Sequence, residues 1–127
     1  MNYIYKNETY KIIGSAQEVH KELGSGFLEV VYQDALQIEF NNNKIPYKRE
    51  YALPIYYKNI KMNRLYYSDF ICYDKIIVET KAVNQIVEEY YAQVMHYLKA
   101  TQLKLGLIIN FGEKSLKVKR IILWKSV

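Results

Sequence analysis

Residues 65–81 of the chain read LYYSDFICYDKIIVETK, and this stretch decides the predicted fold. Aromatic and apolar residues dominate its two arms, and a turn signal at 73–75 separates them, so the pattern predicts an antiparallel hairpin of two strands. Residues two apart in a strand share a face, and Glu79 and Lys81 therefore point the same way. Because the two arms have similar lengths, the hairpin brings Asp69 opposite the strand end that carries Glu79 and Lys81.

The segments around this hairpin complete a mixed α/β (α+β) pattern. A Tyr- and Ile-rich strand precedes it, so three strands form an antiparallel meander. The apolar run at 103–111 is typical of a central strand covered on both faces, and the helix that leads into it predicts a parallel neighbour. Thr9 and Asn84 are the expected caps of the first and third helices. In the order α-α-β-β-β-α-β-β, the predicted helices cover 9–23, 27–41 and 84–100, and the predicted strands cover 47–57, 60–73, 76–80, 103–111 and 116–124.

Length and composition exclude several classes of protein. The chain has 127 residues, half of them apolar, which suits one domain over 1–127 with a buried core. The longest stretch without Asp, Glu, Lys or Arg is nine residues, 90–98, and a membrane-spanning helix needs roughly 20. No signal pattern precedes the first helix, and a single cysteine, Cys72, cannot form an intramolecular disulfide. These features predict a cytoplasmic protein without membrane contact.

The positive charge of the chain is concentrated at its C-terminal end. Residues 99–127 carry seven basic side chains and one acidic side chain, a net charge of +6, whereas residues 1–98 carry eleven basic and twelve acidic, a net charge of −1. Such a segment attracts polyanions because neutralised phosphates release their condensed counterions. A solvated strand face rich in lysine has the same composition, so the segment supports nucleic-acid binding only beside a catalytic site.

Asp69, Glu79 and Lys81 form the chemically distinctive group of the sequence. Two carboxylates that converge can bind a hard cation such as Mg²⁺ through their oxygens. A cation of this kind lowers the pKa of a bound water and offsets charge on a phosphoryl oxygen, while the lysine could orient that water. The same residues also fit a cross-strand ion pair on the surface of a sheet. The spacing alone leaves both interpretations open.

Spaced motifs in this order resemble a known family. They are Gly26-Phe-Leu-Glu29-Val-Val-Tyr32, Tyr67-Ser-Asp69-Phe70, Ile77-Val-Glu79-Thr-Lys81, Gln93-Val-Met-His-Tyr97 and Gly106-Leu-Ile-Ile-Asn-Phe-Gly112. On these residues the chain is identified as a member of the GxxExxY protein family, within the PD-(D/E)XK nuclease-like superfamily. The resemblance extends over nearly the whole chain, from Ile12 to Ile122, and it implies a restriction-endonuclease-like core in which helices flank the mixed sheet.

The resemblance implies a role for each charged residue of these motifs. Asp69 and Glu79 resemble the two metal-binding acids of the superfamily, and Lys81 resembles its lysine. Glu29 is similar to the additional acid that many members contribute from the helix before the sheet. The ligands implied for Mg²⁺ are therefore Glu29, Asp69 and Glu79, and Mn²⁺ is the expected substitute.

Gln93 and Tyr97 resemble the Gln-x-x-x-Tyr element of the RecB-like branch of the superfamily. They are four residues apart and share a helix face, where they could bind the lysine, a water molecule or a substrate phosphate. The chain departs from the superfamily pattern in two places. Ser68 replaces the proline before the first acid, and Thr80 stands between the second acid and the lysine, where leucine is commoner. Thr80 is expected to face away from the site.

Several motif residues also have a plain structural explanation. Glu29 lies near the start of a helix, where the helix dipole and free backbone N–H groups favour an acid. Gly26 could simply allow a tight entry into that helix. Tyr32 lies at helical spacing from apolar neighbours, which favours a core residue over a catalyst. Gln93 could make a structural hydrogen bond.

The predicted function is a metal-dependent nuclease that hydrolyses phosphodiester bonds in nucleic acid, with DNA as the expected substrate. In the basic C-terminal segment, Lys117, Lys119 and Arg120 are the candidate contacts with the nucleic-acid backbone. A homodimer or a protein partner is the expected way to enlarge the binding surface of so short a chain. The alternative is a non-catalytic module that retains the nuclease fold and binds nucleic acid or protein.

Overall fold

The computed structural model describes residues 4–123, and its elements follow the predicted order. Residues 124–127, which include the predicted end of the last strand and of the basic segment, lie outside the described residues. The elements are α1 Lys6–Leu23, α2 Glu29–Asn42, β1 Tyr47–Tyr57, β2 Ile60–Cys72, β3 Ile76–Lys81, α3 Glu88–Thr101, β4 Leu105–Asn110 and β5 Lys117–Ile122.

The described strands form one mixed sheet in the order β1-β2-β3-β4-β5. The first three are antiparallel neighbours, as the predicted meander requires, and β5 is antiparallel to β4. β4 runs parallel to β3, with Glu79 opposite Ile108 and Lys81 opposite Asn110. The connection between these two parallel strands contains α3. The prediction of a central strand with a parallel neighbour is therefore confirmed.

Both hairpin turns of the meander use residues with left-handed backbone geometry. The turn at 58–59 has φ angles of 48° and 66°, and the turn at 73–74 has φ angles of 56° and 57°. Two consecutive residues with positive φ match the right-handed twist of the flanking strands. The second turn closes with a hydrogen bond from the Lys75 backbone N–H to the Cys72 carbonyl oxygen at 3.1 Å. This turn sets the register of β2 against β3.

Helices cover both faces of the sheet and divide the core in two. α1 and α2 pack on one face, against a cluster that includes Val78 and Leu107. α3 packs on the other face, against Ile77 and Ile108. Side chains alternate along a strand, so the two charged residues at the end of β3 share the α3 face with Ile77. None of the described helices is long and apolar enough to cross a membrane.

The two predicted helix caps are wrong. Thr9 lies inside α1, and its hydroxyl donates a hydrogen bond to the Lys6 carbonyl oxygen at 3.1 Å. Asn84 lies before the start of α3. The Asn110 side chain of β4 accepts a hydrogen bond from the Val83 N–H at 3.1 Å and donates one to the Val83 carbonyl oxygen at 3.0 Å. These bonds satisfy the Val83 backbone in a non-helical segment, so the helix begins later than its sequence pattern predicts.

Candidate active site

β2 and β3 separate beside the two predicted acids. The last backbone pair between the strands is Phe70 opposite Val78, and the next pair in this register would join Asp69 to Glu79. At that position, hydrogen bonds from side chains replace the backbone hydrogen bonds between the two strands. Glu79 Oε2 accepts a hydrogen bond from the Asp69 backbone N–H at 2.7 Å, and Asp69 Oδ2 accepts one from the Thr80 backbone N–H at 2.8 Å. The two acids thus lie side by side where the sheet opens.

Glu79 is buried, with 4% of its surface exposed, and the pKa of its carboxyl is raised to about 8. Burial is the main cause, and the negative charge of Asp69 is the second. The backbone N–H of Asp69 and the ammonium of Lys81 act in the opposite direction. Ionisation of Glu79 is unfavourable because water no longer solvates the carboxylate and its neighbour repels it. A cation placed here would relieve both effects.

Lys81 supplies a positive charge at the end of β3. It is half-buried, and its Nζ lies 4.4 Å from the centroid of the Tyr90 ring at the start of α3. Its charge acts to lower the pKa of both Glu79 and Glu29, so the ammonium is close enough to interact with both carboxyl groups. The cation–π contact with Tyr90 holds the ammonium beside the acids without neutralising it.

Glu29 reaches the same site from α2, of which it is the first residue. Its side chain is half-buried, and the pKa of its carboxyl is raised by burial first and by the negative charge of Asp69 second. Lys81 acts in the opposite direction. Glu29 Oε1 accepts a hydrogen bond from Gln33 Nε2 at 3.2 Å. The fold therefore brings Glu29 within electrostatic reach of Asp69 and Lys81.

Gln33 and Thr80 also belong to this group, although the sequence pattern did not identify them. Thr80 is fully buried, and its hydroxyl donates to Asp69 Oδ2 at 3.0 Å and accepts from Gln33 Nε2 at 2.9 Å. Thr80 faces away from Glu79 and Lys81, as strand alternation predicts, but the expectation that it faces outward is wrong, because α2 covers that side of β3 and Thr80 contacts Asp69. Gln33 follows Glu29 by four residues, and this helical spacing is the signal that could have found it.

Gln93 and Tyr97 lie on one face of α3, as their spacing predicts. Tyr97 is 7% exposed, and burial, followed by the negative charges of Glu79 and Asp69, raises the pKa of its hydroxyl to about 12. The phenol is therefore in the electrostatic field of both acids. Gln93 lines a surface depression next to Tyr97 and Tyr66. The structure thus brings this face of α3 to the edge of the acid cluster.

A comparison with protein families agrees with this geometry. Residues 6–121, from the start of α1 to β5, match a family model described as the PD-(D/E)XK nuclease superfamily. The chain belongs to that superfamily. Its mixed sheet flanked by helices has the restriction-endonuclease-like fold of the PD-(D/E)XK nucleases, so the predicted superfamily and fold class are confirmed. No curated protein and no solved structure matches the chain.

In this PD-(D/E)XK domain, the stretch with GxxExxY spacing shapes the entry to α2. Gly26 has a φ angle of 110°, which is readily adopted only by glycine. Tyr32 is fully buried. Its hydroxyl donates to the Gly24 carbonyl oxygen at 2.5 Å and accepts from the Phe27 backbone N–H at 3.2 Å. Tyr32 therefore ties down the loop that leads to Glu29, which agrees with its expected place in the core.

Lys117 and Lys119 are exposed on β5. Lys119 lies opposite Ile108, which pairs on its other side with Glu79. Alternation along the strands places both lysines on the α3 face of the sheet, which is also the face of Glu79.

Arg120 faces the opposite side of the sheet. Its guanidinium donates hydrogen bonds to the Ile4 carbonyl oxygen at 2.9 Å and to Thr9 Oγ1 at 3.3 Å. The side chain thereby connects β5 to the start of α1. Contact of Lys117, Lys119 and Arg120 with nucleic acid stays a prediction.

The acids of the PD-(D/E)XK site fit a divalent cation. Within residues 4–123, no three His, Cys, Asp or Glu side chains close around a common point as a metal cage. Mg²⁺ does not require one, because one or two carboxylates, water and a substrate phosphate usually complete its coordination. The hydrogen bonds between the strands use only Glu79 Oε2 and Asp69 Oδ2. Asp69 and Glu79 therefore offer carboxylate oxygens, the type of ligand that Mg²⁺ prefers.

Proposed function

We propose that this domain is a metal-dependent nuclease that hydrolyses phosphodiester bonds in nucleic acid, with DNA as its substrate. The pairing of Asp69 with Glu79 carries the proposal, because a buried carboxyl whose pKa is raised to about 8 gains from a nearby cation. Lys81, which follows on the same face of β3, adds a positive charge that can stabilise the negative charge developing during phosphodiester hydrolysis. Membership of the PD-(D/E)XK nuclease superfamily supports the same function.

Glu29, Asp69 and Glu79 would hold Mg²⁺, or Mn²⁺ in its place. The cation would lower the pKa of water and offset the negative charge that develops on the phosphoryl oxygens. In the reaction, the oxygen of a water molecule bonds to phosphorus as the water releases a proton, one ester P–O bond breaks, and the released alkoxide takes up a proton in its place. The contacts from Gln33 and from the Asp69 backbone keep the carboxylates in place for this role.

Lys81, Gln93 and Tyr97 would act on the water and the phosphate. Lys81 would orient the attacking water and stabilise the negative charge of the transition state. Tyr97, with a pKa of about 12, keeps its phenolic proton at neutral pH and would donate a hydrogen bond. Gln93 would position the phosphate or the water from the same face of α3. Lys117 and Lys119 would add positive charge for the phosphate backbone, whereas Arg120 lies on the opposite face of the sheet, bonded to Ile4 and Thr9.

Cleavage of a labelled panel tests this proposal. Single-stranded, duplex and branched DNA, together with RNA, would be incubated with Mg²⁺ or Mn²⁺ and with wild type, Glu79→Gln or Glu22→Gln. Glu22 is exposed at the end of α1, so its substitution removes the same charge away from the site. We expect wild type and Glu22→Gln to cleave at least one substrate, with activity lost on chelation and in Glu79→Gln.

A different result has a definite meaning. If wild type binds members of the panel but cleaves none of them with either metal, the domain is a non-catalytic binding module. If Glu79→Gln cleaves as fast as wild type, the cleavage does not come from this site. Either result would contradict the proposed function.

A further inference from the structure

The outer part of the β1–β2 hairpin extends beyond the rest of the sheet. β3 pairs with β2 only at 70–72, so the remainder of the hairpin, residues 51–68, is paired within itself. We call residues 51–68 the ribbon. Its tyrosines differ in exposure: Tyr56, Tyr57 and Tyr67 are 55%, 61% and 58% exposed, whereas Tyr51 and Tyr66 are 38% and 37% exposed. Exposed aromatic rings in a strand ribbon offer a surface to which another molecule can bind.

Charge indicates which kind of molecule fits the ribbon. Residues 51–68 contain Lys58, Lys61 and Arg64 but no Asp or Glu. A second copy of the ribbon would be repelled by this charge, whereas a polyanion would be attracted. Lys58 Nζ lies 5.5 Å from the centroid of the Tyr57 ring. Aromatic rings beside cations form the surface that single-stranded nucleic acid binds, through stacked bases and neutralised phosphates.

A groove between the ribbon and α3 leads to the candidate active site. Its inner part is lined by Gln93, Tyr97 and Tyr66, and its middle part by Tyr66, Tyr56 and Lys99. Tyr56 and Lys99 also line the outer part, so each part shares side chains with the next, and two carboxylates, Glu89 and Asp74, line the inner and the outer part. Their volumes, from the inner to the outer part, are about 370, 320 and 600 Å³, each within the usual range of a ligand site.

We propose that this groove binds single-stranded nucleic acid and guides the strand to the candidate active site. Bases stack on Tyr56 and on the exposed part of Tyr66, whose ring also packs against Tyr97 with centroids 4.9 Å apart, and Lys99 contacts a phosphate. From Gln93 to Lys99 the helix rises about 9 Å, at about 1.5 Å per residue, which matches about three stacked nucleotides at about 3.4 Å each. In a duplex the base faces already stack on one another, so a duplex cannot use the tyrosines. The inference that the groove guides nucleic acid to the active site rests on the proposed nuclease function. The inference that the groove binds single-stranded nucleic acid does not.

Binding measured without turnover tests this inference separately from catalysis. The background protein is Glu79→Gln in chelator, so that the probe stays intact. Fluorescence anisotropy would measure the binding of this protein to labelled oligo(dT) and oligo(U) of about twelve nucleotides, within the usual site size for single strands. The same measurement would be made with a duplex of the same length. We expect the oligo(dT) to bind at least about tenfold more tightly than the duplex, because only the strand offers its bases for stacking.

Two double variants locate the binding surface. Tyr56→Ala/Lys99→Ala removes one aromatic ring and one charge from the groove, and Tyr10→Ala/Lys11→Ala removes the same groups from α1, where Tyr10 is 80% exposed. We expect the groove variant to bind oligo(dT) at least about tenfold more weakly and the α1 variant to change by less than about twofold. Tyr56→Phe/Lys99→Arg keeps the ring and the charge and is expected to bind as the background protein does.

Each outcome decides the inference. Unchanged oligo(dT) binding in the groove variant, or duplex binding as tight as strand binding, would overturn it. A groove variant that loses self-association in sedimentation but keeps oligo(dT) binding would assign the surface to a second copy and would also overturn it. Tighter binding of oligo(U) than of oligo(dT), lost in the same variant, would support it with RNA as the strand. If wild type cleaves nothing but the groove variant loses strand binding, the nuclease proposal fails and the groove stands.

Discussion

Glu79 accepts a hydrogen bond from the backbone N–H of Asp69 at 2.7 Å, at the point where the β2–β3 ladder would have its next pair. Asp69 in turn accepts from the Thr80 N–H at 2.8 Å. The two acids therefore continue the sheet with their side chains, and each accepts a hydrogen bond from the backbone of the neighbouring strand. This arrangement has a physical cost, because it keeps one carboxyl buried next to another. The stability of the metal-free protein is thus linked to pH and to cations.

A rise in pH is expected to destabilise the metal-free protein through Glu79. The pKa of this carboxyl is raised from its ordinary value of 4.5 to about 8 in the folded state. Between these values the folded protein binds more protons than the unfolded chain, so the free energy of unfolding falls as pH rises. Glu79→Gln cannot ionise and loses this part of the pH dependence. Urea unfolding in chelator, from about pH 5 to about pH 9, measures the difference, which is on the order of a few kcal/mol at the upper end.

The exposed Glu22 provides the control for this measurement. Glu22→Gln removes the same charge from a solvated position, and its stability is expected to follow that of wild type at every pH. If Glu79→Gln also follows wild type over the whole range, Glu79 does not titrate as a buried group.

Mg²⁺ and Mn²⁺ are expected to stabilise wild type by binding to its folded state. A ligand at about 100 times its Kd adds about 2.7 kcal/mol to the free energy of unfolding. Asp69→Asn/Glu79→Gln keeps the size of both side chains but removes their charges, so it should lose this effect. Thermal unfolding with and without metal, at constant ionic strength, measures the shift in Tm. An equal shift in wild type and in the double variant would place the cation elsewhere.

The order of the elements could be predicted from the sequence because it depends on local patterns. The turn at 73–75 and the apolar run of β4 are each read from neighbouring residues. The start of α3 could not be predicted, because Asn110 of β4 hydrogen-bonds to the Val83 backbone in the non-helical segment before the helix. Helix propensity of a segment contains no information on such a distant partner. The prediction of an Asn84 cap failed for this reason.

The candidate site could likewise be predicted only as far as local sequence patterns determine it. Glu79 and Lys81 could be placed on one face because strand alternation fixes it, and the length of the hairpin arms placed Asp69 beside them. The contacts of Thr80 could not be predicted, because they depend on how closely α2 approaches β3. The hydrogen bond from Gln33 to Thr80 joins residues 47 apart in the chain. Only the tertiary structure shows that both sides of β3 contribute to the site.

Gln33→Leu is expected to lower the proposed nuclease activity by about tenfold or more, as loss of a group that orients metal ligands commonly does. Gln33 Nε2 donates to Glu29 Oε1 at 3.2 Å and to Thr80 Oγ1 at 2.9 Å. Leucine leaves the Glu29 carboxylate free to turn away from the site. Measurements of kcat, KM and the concentration of Mg²⁺ at half-maximal activity would show the loss in kcat or in metal affinity.

Gln37→Leu is the matched control on the same helix. Gln37 Oε1 accepts a hydrogen bond from Arg49 at 3.0 Å, and Gln33 Oε1 accepts one from the same guanidinium at 3.3 Å. Only Gln33 bonds to Glu29. Equal losses in both variants would therefore assign the effect to Arg49 and would contradict a positioning role for Gln33.

Tyr32→Phe is expected to reduce the free energy of unfolding by about 1–3 kcal/mol, the usual effect of leaving buried polar groups without a partner. The lost hydroxyl joins the Gly24 carbonyl oxygen and the Phe27 N–H in the loop before α2. Urea unfolding measures the change, with Tyr10→Phe as the control because Tyr10 is 80% exposed. Equal stability of the two variants would mean that the loop does not depend on the Tyr32 hydroxyl.

Gly112→Ala is expected to destabilise the protein by about 1–3 kcal/mol or more, because the added methyl group overpacks a filled site. A Cβ at Gly112 would overlap the backbone N and O of Val83, whereas a Cβ at Gly14 would meet nothing within 4 Å. Gly14 lies in α1, where alanine is favoured over glycine by about 0.5–1 kcal/mol, so Gly14→Ala should stabilise. Urea unfolding of both variants measures these opposite signs. Val83 is two residues after Lys81, so the same clash should displace the lysine and lower the proposed nuclease activity. A Gly112→Ala variant with wild-type stability and activity would contradict both expectations.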